Sequence, residues 1–213
     1  MKPWVKKKGL VRGVRYVTEL EPMEREMLGN SAATVGELLI GRARSAPKDE
    51  LAEMTGLPSG HTEAPDDPVL AAMLPSFFRD GDEEVDGEAG VSRQFNETDI
   101  IKGKLTNLRL VSDLLGPDGS VHVSLTAEQT RSWLSALTDI RAYHHGRLEQ
   151  ERTAQADGPE GSDDSDDSDG SDGSDGSGRA GEIAATENYL EWLGYHQDSL
   201  LTAMVGPMDV PDE

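Results

Sequence analysis

The sequence predicts a mainly α protein: a helical bundle with a short N-terminal β element and a C-terminal helix docked on the bundle across a disordered acidic linker. Three observations carry this. Apolar residues recur at spacings of three and four in four long segments, as they do in helices with one buried face. Residues 2–16 and 121–125 instead alternate apolar with polar or charged side chains, as strands do. Before the last helical segment, the run SDDSDDSDGSDGSDGSG at 162–178 has no apolar residue to offset the entropy of ordering.

At the N-terminus, Trp4, Val5, Leu10, Val11, Val14 and Tyr16 alternate with Lys2, Lys6, Lys7, Lys8, Arg12 and Arg15. This reads as a strand or short hairpin with Gly9 or Gly13 at the turn. Glu21 and Pro22 open a helix, because proline suits a first turn whose N–H groups lack intrahelical partners. Met27, Leu28, Val35, Leu38 and Leu39 mark its apolar face, and it should end near Arg44, before Pro47. Residues 45–66 hold Pro47, Gly56, Pro58, Gly60 and Pro65 and are expected to form a long loop. Asp67 and Pro68 supply an N-cap and a first-turn residue for a short helix carrying Val69, Leu70, Met73 and Leu74 up to Pro75. Residues 80–90 are acidic and turn-like.

From Val91 to Leu115 the pattern is helical: Phe95, Ile101, Leu105, Leu108 and Leu115 form one stripe, widened by Val91, Val111 and Leu114. GPDG at 116–119 ends it in a turn. Val121, Val123 and Leu125 predict a short strand. Thr126 then caps a helix with Gln129 at the capping-box position, and Trp133, Leu134, Leu137, Ile140, His144 and Leu148 form its buried face. Residues 182–204 give a last amphipathic helix, with Ile183, Leu190, Leu193, Leu200, Leu201 and Met204 on one side, thickened by Tyr189, Trp192 and Tyr195. The expected organisation is a helical core with its N-terminal strand or hairpin at 1–152, a disordered Asp/Ser/Gly linker at 153–181, the packing helix at 182–204 and a disordered tail at 205–213.

Composition bounds the function. The chain has 213 residues, 41 acidic against 20 basic, a net charge of −21 and no cysteine. Zero cysteines exclude disulfides, thiolate metal sites and thiol catalysis, and fit a cytoplasmic location. No signal-peptide pattern and no membrane-length apolar run is present. The overall acidity argues against a generic nucleic-acid binder, since phosphates need a basic surface. Eight Asp and one Glu fall within residues 157–178, so much of the charge belongs to a tether. A flexible segment of that length spans on the order of 30 Å, enough for the last helix to reach any face of the core.

Few residues read as chemistry. His144 and His145, with Glu149 one turn further on, have metal-like spacing, but His144 lies on the apolar face while His145 points elsewhere, so the two do not readily bind one ion and a structural role is the favoured reading. His61, His122 and His196 look isolated. The Asp/Ser tract fails the EF-hand pattern: counting back from Gly170, the first ligand position is Ser165 and the twelfth is Gly176. There is no phosphate loop, Gly-x-Gly-x-x-Gly or Gly-x-Ser-x-Gly. Carboxylate pairs all lie in hydrophilic runs, where burial is not expected to raise a pKa for acid–base work. The basic N-terminal segment has three readings: nucleic-acid or acidic-partner contact through Lys6, Lys7 and Lys8, edge lysines that guard against aggregation, or a surface that the acidic linker covers.

Five segments, in order, carry a resemblance: GVRYVTELEPMEREML at 13–28, DPVLAAMLP at 67–75, RQFNETDIIKGKLTNL at 93–108, WLSALTDIRAYHHGRL at 133–148 and NYLEWLGYHQDSLL at 188–201. Together they resemble an actinobacterial family of AosR-type oxidative-stress regulators, long labelled a domain of unknown function. The resemblance implies a non-enzymatic cytoplasmic regulator, without cofactor or metal, that contacts an alternative sigma factor or RNA polymerase and so alters transcription under oxidative stress. It also implies an intramolecular disulfide that gates the contact, for which this sequence has no cysteine. Trp192, Tyr195 and Arg141, on the last two helices, are the candidate partner-binding residues, since aromatic and arginine side chains dominate interface energies. The alternative is a small metal-dependent or hydrolytic enzyme using His144, His145, Glu149 and His196.

Overall fold

A computed structural model describes residues 1–9, 13–47, 54, 60–74, 76, 87–116, 120–156 and 175–206. Its elements are β1 (Val5–Gly9), β2 (Gly13–Glu19), α1 (Pro22–Arg44), α2 (Pro68–Met73), α3 (Glu88–Leu115), β3 (His122–Leu125), α4 (Ala127–Ala156) and α5 (Asp175–Val205). The protein is mainly helical, with one small antiparallel sheet.

Local chemistry explains most of the boundaries. The N–H of Glu21 donates to the Glu24 carboxylate 2.8 Å away, and Pro22 occupies the first turn of α1. Asp67 accepts from the Val69 N–H at 2.9 Å and starts α2. Thr126 and Gln129 form the expected reciprocal box at the start of α4: the Thr126 N–H donates to Gln129 Oε1, and the Gln129 N–H to Thr126 Oγ1. The N-terminal segment is a hairpin in which Gly9 pairs with Gly13, and Gly13 takes φ +69°, a left-handed conformation that glycine adopts without strain. β3 joins the same sheet along the other edge of β2, giving the order β1-β2-β3. That pairing joins residues more than 100 positions apart and has no local signal in the sequence.

α4 is the central element, packed against each of the other four helices named above and against β2 and β3 among the described residues. Its buried stripe is Trp133, Ala136, Leu137, Ile140 and Leu148, and the core continues through Leu28, Val35 and Leu39 of α1, Leu108 and Val111 of α3, and Leu193 and Leu200 of α5. Gly146 lets α2 approach closely, since a Cβ there would lie 3.0 Å from the Val69 Cα.

Three expectations need correction. The start of α3 does not bury its apolar side chains: Phe95 is 67% exposed and Val91 is also exposed, while Arg93 and Glu97 are buried. Six residues from Ile101, Phe95 lies about 120° round the helix, whereas Arg93 and Glu97 lie at four-residue steps on Ile101's own side. Carboxylates are not confined to solvated runs, since Glu97 and Asp139 are both buried. Helix α3 begins at Glu88, inside the acidic segment expected to be turn-like.

Helical structure enters the expected linker from both ends, to Ala156 and from Asp175. The linker's centre at 157–174, the tail at 207–213, the hairpin turn at 10–12 and most of the acidic stretch at 80–90 lie outside the described residues.

Candidate protein-interaction site

The seat of α5 is built largely from polar contacts, each linking residues far apart in sequence. Ser31 Oγ on α1 lies 3.0 Å from His144 Nε2 on α4 and 3.1 Å from the Tyr189 hydroxyl on α5, so one hydroxyl joins three helices. The Trp192 indole N–H donates to Glu24 Oε1 at 2.8 Å. The Trp133 indole N–H donates to His196 Nε2 at 3.1 Å, which leaves the proton of a neutral His196 on Nδ1, facing the Met1 thioether. Arg141 donates to Gln197 Oε1 at 2.5 Å, Gln197 donates to Thr138 Oγ1 at 3.1 Å, and the Trp4 N–H donates to Ser199 Oγ at 2.8 Å. Arg152 bridges Glu187 at 2.6 Å on the outside.

Ring contacts reinforce the latch. Trp192 stacks on Tyr189 at 5.6 Å and on His196 at 5.2 Å, and Trp4 meets Trp133 and His196 edge-on at 6.0 and 5.4 Å. Burial sets the protonation of this cluster. It pushes His196 down to about 3, against the pull of the nearby Glu24 carboxylate. It takes His144 down to about 4, helped by the Arg147 charge, and raises Tyr189 to about 12 against the hydrogen bond from Ser31. Burial also pushes Glu24 upward, but hydrogen bonds from the Met1 amino group, the Glu21 N–H and the Trp192 indole outweigh it and hold the carboxyl low. The histidines are therefore neutral packing and acceptor groups at neutral pH.

Outside this seat, α4 and α5 enclose a groove of about 470 Å³ lined by Thr138, Arg141, Ala142, His145, Leu190 and Glu191. Tyr195, one turn beyond Glu191 on α5, is 50% exposed, and Leu201 is also exposed. A second buried polar cluster lies on α3, where Glu97 accepts from Arg42 at 2.8 Å and Arg93 at 2.7 Å. Asp139 meets Lys104 at 2.5 Å, and its burial raises its carboxyl in spite of that partner.

The residues singled out from sequence fall in different settings. Arg141 lines the groove and is exposed, but it is also bound to Gln197. Tyr195 is half-exposed on α5, one turn beyond Glu191, and does not line the groove itself. Trp192 is half-buried and is engaged by Glu24 and its stacking neighbours. Lys6, Lys7 and Lys8 are exposed on β1, at the far edge of the sheet. His144, His145, Glu149 and His196 are not brought together: His144 binds Ser31, His145 faces the groove, Glu149 binds Arg152, and His196 lies in the aromatic cluster. Among the described residues, no group of three or more His, Cys, Asp or Glu side chains could hold a metal ion. His196, which looks isolated in sequence, is a hub of the fold, fully buried beside three tryptophans. Its placement between Trp192 and Leu200 on an aromatic-rich helix is the only local hint of this.

The class is a helical bundle whose C-terminal helix is latched across the core and forms, with α4, a groove lined by charged, polar and apolar side chains. The chain belongs to the family described as a domain of unknown function, DUF2017, whose family profile matches residues 1–204. The oxidative stress regulators AosR of Mycobacterium bovis and Mycobacterium tuberculosis are each 33% identical to it over 138 residues, covering 61% of this chain and 63% of theirs. A relative from Mycobacterium leprae is 28% identical over 151 residues, covering 67% of this chain and 69% of its own. No solved structure matches. Among the described residues, no helix is long and apolar enough to cross a membrane.

Proposed function

We propose that this chain is a non-enzymatic cytoplasmic regulator of the oxidative-stress response that works by protein contact, with an alternative sigma factor or RNA polymerase as its partner. The name of its mycobacterial relatives supports the regulatory role. The observation that carries the mode of action is the α4–α5 groove, lined by Arg141, Leu190 and Glu191, with the half-exposed Tyr195 one helical turn beyond Glu191 on α5. An exposed tyrosine next to an arginine and an apolar wall is the composition that concentrates binding energy at protein interfaces. Control of the contact operates without a disulfide, because the chain has no cysteine.

The test is affinity capture from an actinobacterial extract with the full chain, with the Arg141→Ala, Tyr195→Ala double variant, and with a chain lacking residues 182–204. The double variant, which also removes the Arg141 bond to Gln197, should stay folded with a slightly lowered melting temperature and lose most of the recovered sigma factor or polymerase. Recovery at the level of the unaltered chain in both variants would sink the proposal.

A further inference from the structure

The β1–β2 hairpin carries a charge that the rest of the chain lacks. Residues 1–17 hold Lys2, Lys6, Lys7, Lys8, Arg12 and Arg15 and no carboxylate, in a chain whose net charge is −21. Elsewhere many cations are matched: Arg42 and Arg93 by Glu97, Lys104 by Asp139, and Arg109, Arg147 and Arg152 by acids one helical turn away. Lys2 is matched too, at 2.6 Å from Glu19. Lys6, Lys7, Lys8 and Arg15 make no ion pair among the described residues, and the three lysines are exposed.

Their arrangement follows from the register. β3 pairs with β2 only from Tyr16 to Glu19, so among the described residues the pairs from Lys7–Arg15 to Gly9–Gly13 form a two-stranded ribbon without a third strand. Lys8 is paired with Val14, and Lys6 with Tyr16, on the core-facing side; Lys7 is paired with Arg15 on the outer side. Cations thus occupy both faces of the ribbon. Its base is fixed by the buried Trp4, by the Trp4 N–H bond to Ser199, and by the Thr18 hydroxyl, which donates to the Lys2 carbonyl.

We propose that this ribbon is a nucleic-acid contact, in which Lys6, Lys7, Lys8 and Arg15 engage the phosphates of duplex DNA. Its width suits the purpose, since the major groove of B-DNA admits a two-stranded β-ribbon. The acidity of the body does not prevent it. Three residue pairs of overhang extend about 10 Å, and at physiological salt charges are screened over about 8 Å. Protection of bare strand edges also accounts for cations on either strand of the overhang, and titration with a DNA duplex separates it from phosphate contact.

The test is fluorescence anisotropy of the full chain with a short labelled DNA duplex over a range of salt. The account predicts binding at low salt, with a log–log salt slope of about −3 to −4 for four neutralised phosphates. Affinity should fall more than tenfold in the Lys6→Gln, Lys7→Gln, Lys8→Gln variant and also in Arg15→Gln, and should stay unchanged in Lys2→Gln, with circular dichroism unaltered in all three. Absence of binding at low salt, or equal affinity in the triple variant, would overturn the proposal. Tighter binding of poly-aspartate than of the duplex would also overturn it, and would assign the ribbon to an acidic protein instead.

Discussion

Trp192 donates its indole N–H to Glu24 Oε1 at 2.8 Å, and the same oxygen receives the Met1 amino group at 2.5 Å. Glu24 Oε2 meanwhile accepts the Glu21 N–H that starts α1. One partly buried carboxylate therefore ties the beginning of the chain and the beginning of α1 to the helix at its far end. Glu24→Ala removes the acceptor for all three donors and should destabilise the protein by about 1–3 kcal/mol, with Glu24→Gln losing less. Urea unfolding followed by tryptophan fluorescence checks both.

Trp133 and His196 form the second half of the latch. His196→Ala leaves the fully buried Trp133 indole N–H without an acceptor and opens a cavity among three tryptophans. The expected loss is about 3 kcal/mol or more. His196→Gln, which keeps an acceptor, should recover part of it in the same unfolding experiment.

Acid should weaken the fold in a defined window. In the folded protein His144 titrates near 4 and His196 near 3, both below the ordinary value of 6.5. The unfolded chain therefore takes up protons first. Stability is complete above pH 6.5, falls as the pH drops from there to about 4 for His144 and about 3 for His196, and levels off once both states are protonated. At about 1.4 kcal/mol per pKa unit, the loss is on the order of several kcal/mol. Asp139, with its raised carboxyl, acts in the opposite sense and offsets part of it. Urea midpoints should fall steeply between about pH 6.5 and 4, and His196→Gln should flatten that slope.

On α3, Glu97→Ala removes the carboxylate shared by the buried Arg93 and the largely buried Arg42, at a cost of about 3–5 kcal/mol. Phe95→Ser, at a site 67% exposed, should stay within about 0.5 kcal/mol of the unaltered chain. Thermal melts of the two variants separate this arrangement from one in which the apolar residue faces inward.

The same pair of residues shows what could be read from the sequence. Signals carried by near neighbours were legible: the Glu21–Pro22 start of α1, the Asp67 cap, the Thr126–Gln129 box and the Gly9–Gly13 hairpin each depend on a few adjacent residues. Arg93 and Glu97 look like an ordinary solvated pair at helical spacing, and only the approach of Arg42, 55 positions from Glu97, makes them a buried cluster. His196 likewise has only the aromatic residues of its own helix as a signal in sequence and gains its role from Trp4 and Trp133. The candidate surface was legible only as residue types. Which face of α5 Tyr195 and Trp192 occupy depends on polar contacts to α1 and α4 that no periodicity encodes.

The docked position of α5 underlies both its latch and the groove it forms with α4, and amide hydrogen exchange of the full chain at neutral pH measures it directly. If α5 is seated as described, the Leu193–Leu200 amides will be protected within about tenfold of those at Trp133–Ile140 in the centre of α4, as expected for one cooperative unit. Rapid exchange throughout Leu193–Leu200 while α4 stays protected would show an undocked helix and contradict the account.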